Sequence, residues 1–135
     1  MSVRLPDYAG YLAVMGEVLA ESGGTPLQLR DEGLLQSAFA RPENLMAYAN
    51  GSEDVFAVAA SLANGIARNH PFVDGNKRAA ATAFLITLFL NGIRTDTTQA
   101  DLAETFQSLA AGTLDEHTLA DWGRRRGVED PRFVR

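Results

Sequence analysis

The chain reads as all-α, a compact domain of about six or seven helices around a central apolar helix, occupying residues 1–135. Three observations predict this. Apolar residues recur at steps of three and four along most of the chain. No run alternates long enough to compete as a strand, apart from a possible short hairpin around residues 42–51. The stretch Ala79–Leu90 is apolar nearly all round, as suits a helix buried on most sides, yet it is too short to span a bilayer.

The elements follow in order. Tyr8, Tyr11, Leu12, Met15, Val18 and Leu19 give a first helix one apolar face, and Ser22-Gly23-Gly24-Thr25-Pro26 stops it. Asp31 caps a second helix with Leu34, Leu35, Ala38 and Phe39 inward, ending near Arg41-Pro42. A short helix or turn over Glu43–Tyr48 leads to the break at Asn50-Gly51. Ser52 caps the third helix, with Glu53 and Asp54 at the positive end of its dipole. That helix runs to about Asn69, because Pro71 disfavours helical geometry at His70. A fourth helix starts at Lys77 and stops at Asn91-Gly92. Thr98 with Asp101, and Thr113 with Glu116, fit capping boxes opening two more, carrying Leu102, Phe106 and Leu109, then Leu114, Leu119 and Trp122.

Composition narrows the chemistry. A chain of 135 residues with 46% apolar and 21% charged residues suits a folded globular protein. A net charge of −5 argues against general nucleic-acid binding. Arg124, Arg125, Arg126, Arg132 and Arg135 read as a solvated helix end. With no cysteine and only His70 and His117, a zinc centre is not expected. Residues Met1–Gly10 lack the apolar core that secretion needs, so a cytoplasmic protein without membrane contact is expected.

One stretch carries chemistry: His70-Pro71-Phe72-Val73-Asp74-Gly75-Asn76-Lys77-Arg78. Gly75-Asn76 stands where a helix begins, and the unpartnered amides there attract anions. Lys77 and Arg78 put two cations at a helix end that electrostatics would give to acids, a placement that a bound phosphate compensates. Asp74 beside phosphates suits magnesium, which keeps several waters and takes few protein ligands. An imidazole changes protonation near neutral pH, so His70 is placed to take a proton from a hydroxyl attacking phosphorus. Arg68 either reaches the phosphates or caps its own helix. His117 reads as a surface residue, and Trp122 as a core or interface anchor.

These nine residues resemble the signature of the Fic/Doc superfamily, most closely its Doc (death-on-curing) branch. The resemblance extends over most of the chain and implies the small Fic helical fold. It implies His70 as the base, Asp74 as the magnesium ligand, Gly75-Asn76-Lys77 as the anion-binding loop, and phosphate contacts from Lys77 and Arg78. Superfamily members move part of a nucleotide onto a protein hydroxyl. The AMP-transferring branch reads Gly-Asn-Gly-Arg with a second arginine three residues on, whereas here Lys77 and Ala81 hold those positions. Both departures imply Doc-like transfer of the γ-phosphate, to a threonine of elongation factor Tu in that branch. Gly75 matches the AMP-transferring pattern, where the best-known Doc motif has alanine, so AMP transfer is the alternative. A catalytically silent helical binding module is a third. The inhibitory stretch of many AMP-transferring relatives has Ser or Thr four positions before Glu-Gly or Glu-Asn. Gln28 and Phe39 stand there instead, ahead of Glu32-Gly33 and Glu43-Asn44, which implies an antitoxin acting in trans. Residues 42–51 are a candidate for the flap that grips substrate in relatives.

Overall fold

The computed structural model describes residues 3–21, 26–49 and 54–132. The described elements are α1 (Tyr8–Glu21), α2 (Glu32–Ala49), α3 (Val55–Asn69), α4 (Asn76–Leu90), β1 (Ile93–Thr95), α5 (Gln99–Ala111), α6 (Glu116–Arg126) and β2 (Gly127–Glu129). Among the described residues the regular structure is thus helical but for one two-stranded antiparallel ribbon that pairs Arg94 with Val128. No helix among the described residues is long and apolar enough to cross a membrane.

Several boundaries sit where capping chemistry puts them. Thr98 accepts the Asp101 amide at 3.0 Å and opens α5. The α3 cap is Asp54, which accepts the Phe56 amide at 3.0 Å, while Ser52 and Glu53 lie outside the described residues. The stop at residues 22–25 and the break at Asn50-Gly51 lie outside them as well.

Three expectations besides the Ser52 cap are corrected. The second helix does not end at Pro42. It continues to Ala49, with Pro42 inside it and buried, so residues 42–49 form neither a hairpin nor a separate turn. A proline forfeits one helical hydrogen bond and tends to kink a helix, but burial of its ring against the core offsets part of that penalty. Asp115, not Thr113, caps α6, accepting the Thr118 amide at 2.8 Å. The Thr113 hydroxyl instead donates to the Ser108 carbonyl at 3.2 Å and closes the end of α5.

The third correction concerns the centre of the fold. It is α3, not α4. Nine consecutive or near-consecutive α3 residues, from Val58 to Ala67, are buried, and α3 packs on α2, α4, α5 and α6. Its small residues permit this. A Cβ on Gly65 would stand 3.1 Å from the Ala38 Cα, so α2 and α3 cross backbone against backbone. The bulkier α4 buries Ala79, Ala80, Ala83, Phe84, Thr87 and Leu88 but leaves Phe89 51% exposed. Phe84, Phe106 and Trp122 then form an aromatic cluster joining α4, α5 and α6, with Phe106 edge-to-face against both other rings.

The C-terminal arginines are largely taken up by carboxylates. Arg124 pairs with Asp54 and Asp121, and Arg126 with Asp101 at 2.8 Å. Asp130 closes the ribbon: its amide donates to the Gly92 carbonyl at 3.0 Å, and its carboxylate meets Arg132 at 2.6 Å and Arg94 at 3.5 Å. Hydrogen bonds from Arg132, reinforced by the charge of Arg94, hold the Asp130 carboxyl at about 2, below the usual 3.8. A lowered folded-state value stabilises the fold above the unfolded pKa and is lost as pH falls through the folded one. Asp130→Asn should therefore lower the melting temperature at neutral pH. The gap to the parent should narrow below about pH 4 and close near about pH 2 in a pH series of thermal melts.

Candidate active site

The loop between α3 and α4 begins with an unusual corner. His70 caps α3 in the left-handed region, at φ 50° and ψ 57°, the one non-glycine residue with positive φ among the described residues. Such a backbone costs about 1–3 kcal/mol for a residue with a side chain. The corner is held from outside. Arg30 donates from Nε to the His70 carbonyl at 2.8 Å and from Nη2 to the Asn69 carbonyl at 3.0 Å. The amides of Arg30 and Asp31 both donate to the Pro71 carbonyl, and the Val73 amide donates to Gln28 at 2.9 Å. Leu29 and Phe72 thus face each other across a single antiparallel bridge. The Asn69 amide group also reaches the Leu34 carbonyl at 2.9 Å.

The far end of the loop is held from inside. The Asn76 side chain accepts the Phe72 amide and donates to the Phe72 carbonyl, both at 3.0 Å, while the Phe72 ring is buried. Gly75 precedes α4 at φ 82° with no side-chain cap, and a Cβ there would meet Leu19 at 3.0 Å. Tyr11 of α1 donates its hydroxyl to the Ala79 carbonyl at 2.8 Å and steadies the first turn of α4, burial pushing the phenol's pKa upward.

With both ends fixed, the remaining loop groups face a cleft of about 720 Å³, within the usual range of small-molecule sites. One wall is His70, Val73, Asp74 and Gly75 with the opening turns of α4, namely Asn76, Lys77, Arg78 and Ala81. The other is a stripe of α5 formed by Gln99, Leu102, Ala103, Phe106, Gln107 and Ala110. His70, Asp74, Lys77 and Arg78 are exposed to solvent. The lining carries two obligate cations against one carboxylate, so an acidic protein presents a locally basic cleft at an uncapped helix start.

The Asp74 carboxylate accepts the Gly75 amide through Oδ1 at 2.8 Å, which fixes its orientation beside the cations. No group of three or more His, Asp or Glu side chains gathers into a cage among the described residues. A lone, oriented carboxylate in a locally basic cleft is a donor set that could hold magnesium, provided water and the oxygens of a bound anion filled its other positions.

Of the residues singled out in the sequence, His70, Asp74, Gly75, Asn76, Lys77 and Arg78 come together, with the Asn76 side chain spent on the loop itself. Arg68 does not join them. Its guanidinium donates to the Leu109 and Ala110 carbonyls, capping the end of α5 rather than reaching the cleft or its own helix end. His117 is exposed on α6 and takes no part in the cleft.

Sequence reasoning missed Arg30 and the α5 wall. Nothing marks Arg30 locally, since the carbonyls it serves lie about forty residues on. The α5 residues did carry a signal, a stripe at steps of three and four from Gln99 to Ala110, but it reads equally as core.

The Fic/DOC family pattern matches residues 7–88, more than half of the chain. The protein named Toxin Doc from Mycolicibacterium smegmatis is 41% identical over 71 residues, covering 53% of this chain and 55% of that protein. The chain therefore spans about half the length of the relative it matches.

Proposed function

The chain belongs to the Fic/DOC family, and on that premise we propose a Doc-type toxin of a toxin–antitoxin system. It transfers the γ-phosphate of ATP to a hydroxyl of a target protein, elongation factor Tu being the target the resemblance implies. An antitoxin acting in trans is the implied partner. One observation carries the choice of phosphate over AMP: Lys77, Arg78 and Ala81 line the cleft together, so a methyl group stands where an AMP-transferring relative would place its second arginine.

In this reading the target hydroxyl gives its proton to the His70 ring as its oxygen bonds to the γ-phosphorus. The bond from that phosphorus to the bridging oxygen breaks, and ADP leaves. Lys77, Arg78 and the opening amides of α4 hold the phosphates in line and offset their charge. Asp74 is the residue to hold magnesium, which when bound supplies further charge neutralisation on the phosphate oxygens. Phe72 and Asn76 do no chemistry. They keep the loop rigid enough for the alignment to persist.

AMP transfer is the second reading, and Gly75 favours it. At φ 82°, with Leu19 against the Cβ position, this site prefers the glycine of the AMP-transferring pattern to the alanine of the best-known Doc motif. Purified protein incubated with elongation factor Tu and either γ-labelled or α-labelled ATP separates the two. Label from the γ position alone supports phosphate transfer, and label from the α position alone replaces it with AMP transfer. Label from neither, with ATP and magnesium saturating, favours a silent binding module.

A further inference from the structure

We infer that Arg30 is a positioning residue for the general base, its guanidinium locking the corner that aims His70 into the cleft. This rests on the reading of His70 as the base. Arg30 lines no part of the cleft, so it is not a phosphate ligand. Its planar fork instead spans two successive carbonyls, those of Asn69 and His70, at 3.0 and 2.8 Å. Its own amide holds the next carbonyl, that of Pro71, at 2.7 Å. One residue thus secures three consecutive peptide groups around the left-handed backbone of His70.

The arrangement opposes a specific relaxation. A residue before proline prefers extended geometry, and a residue with a side chain disfavours positive φ. Left to those preferences, His70 would swing toward extended φ and ψ and carry its ring away from Asp74 and the start of α4. Guanidinium matches the task because its donors are planar and fixed relative to one another. A lysine ammonium supplies charge and donors without that fork.

The test compares Arg30→Met and Arg30→Lys with the parent chain, using ATP, magnesium and elongation factor Tu. Arg30→Met should lower kcat on the order of 10- to 100-fold, as misplacing a catalytic group does, with KM for ATP within about twofold. Arg30→Lys should recover only part of that loss. The His70 Cα chemical shift in isotopically labelled protein should move from its left-handed value toward an extended one in both variants, a readout independent of turnover. An unchanged shift overturns the inference, as does unchanged kcat in Arg30→Met, or a rise in ATP KM that accounts for the whole loss. His70→Ala run alongside tells the two ideas apart. Full turnover in His70→Ala removes the base itself, whereas a dead His70→Ala beside a fully active Arg30→Met removes only the role of Arg30.

Discussion

Replacing His70 by glycine should abolish phosphate transfer while making the protein harder to unfold. The loss of a general base is worth about 10²–10⁴ in rate. Stability should move the other way, because His70 occupies the left-handed cap of α3 at φ 50°, where glycine meets no Cβ penalty. Relief of that strain should stabilise the chain by up to about 1 kcal/mol, seen as a raised melting temperature. The ring is exposed, so its removal opens no cavity to offset the gain. His70→Ala separates the effects: it should lose the same activity but keep the strain, leaving the melting temperature near the parent's. A structural histidine predicts the reverse, with both variants active and both destabilised. Catalysis at a residue that holds its backbone in a disfavoured region is the pattern expected where geometry serves function. Turnover of either variant within about threefold of the parent would remove His70 from the chemistry.

Much of this architecture was legible in the sequence, and the misreadings have definite causes. The first, third and fourth helices announce themselves by period and by Pro71, and the structure ends α3 at Asn69 and opens α4 at Asn76. Pro42 misled because a proline is locally a breaker, and only the packing of α2 shows that its ring is buried within a continuous helix. Thr113 and Asp115 compete as caps two residues apart, and local pattern does not rank them. The ribbon has three-residue strands, too short for alternation to register. Hydrophobicity pointed to α4 as the central helix, but enclosure follows from size as much as from apolar character. Alanine and glycine let neighbours close in on α3 from several sides, while bulkier α4 keeps Phe89 half out. The site divides the same way. The convergence of His70, Asp74, Lys77 and Arg78 on one cleft could be read in advance because one short loop carries them, whereas the spending of the Asn76 side chain on the Phe72 backbone could not. Arg30, the α5 wall and the true role of Arg68 depend on contacts between distant segments, which no local spacing encodes.

Asp74→Asn should reduce transfer at moderate magnesium by on the order of 10² while leaving the loop intact. The substitution is nearly isosteric, and its side-chain oxygen can still accept the Gly75 amide that Asp74 Oδ1 now takes at 2.8 Å. Only charge is lost. Among the described residues no cage of acids stands ready to substitute, so magnesium bound here would lean on this carboxylate and on the phosphates themselves. Metal assistance at a phosphoryl group is worth several kcal/mol, and forfeiting about 2.7 kcal/mol of it corresponds to about 10² in rate. Raising magnesium should restore part of the loss, because the phosphates retain affinity of their own, whereas no magnesium concentration should revive His70→Ala. Asp74→Ala discards the Gly75 contact as well and should fall further, with a lower melting temperature than Asp74→Asn. The diagnostic quantity is the magnesium concentration at half-maximal turnover. A shift of tenfold or more in Asp74→Asn, with the melting temperature held, assigns the carboxylate to the metal. If both the half-maximal concentration and the plateau matched the parent's, Asp74 would be a loop cap alone, and the cations of α4 would have to manage the phosphate charge without it.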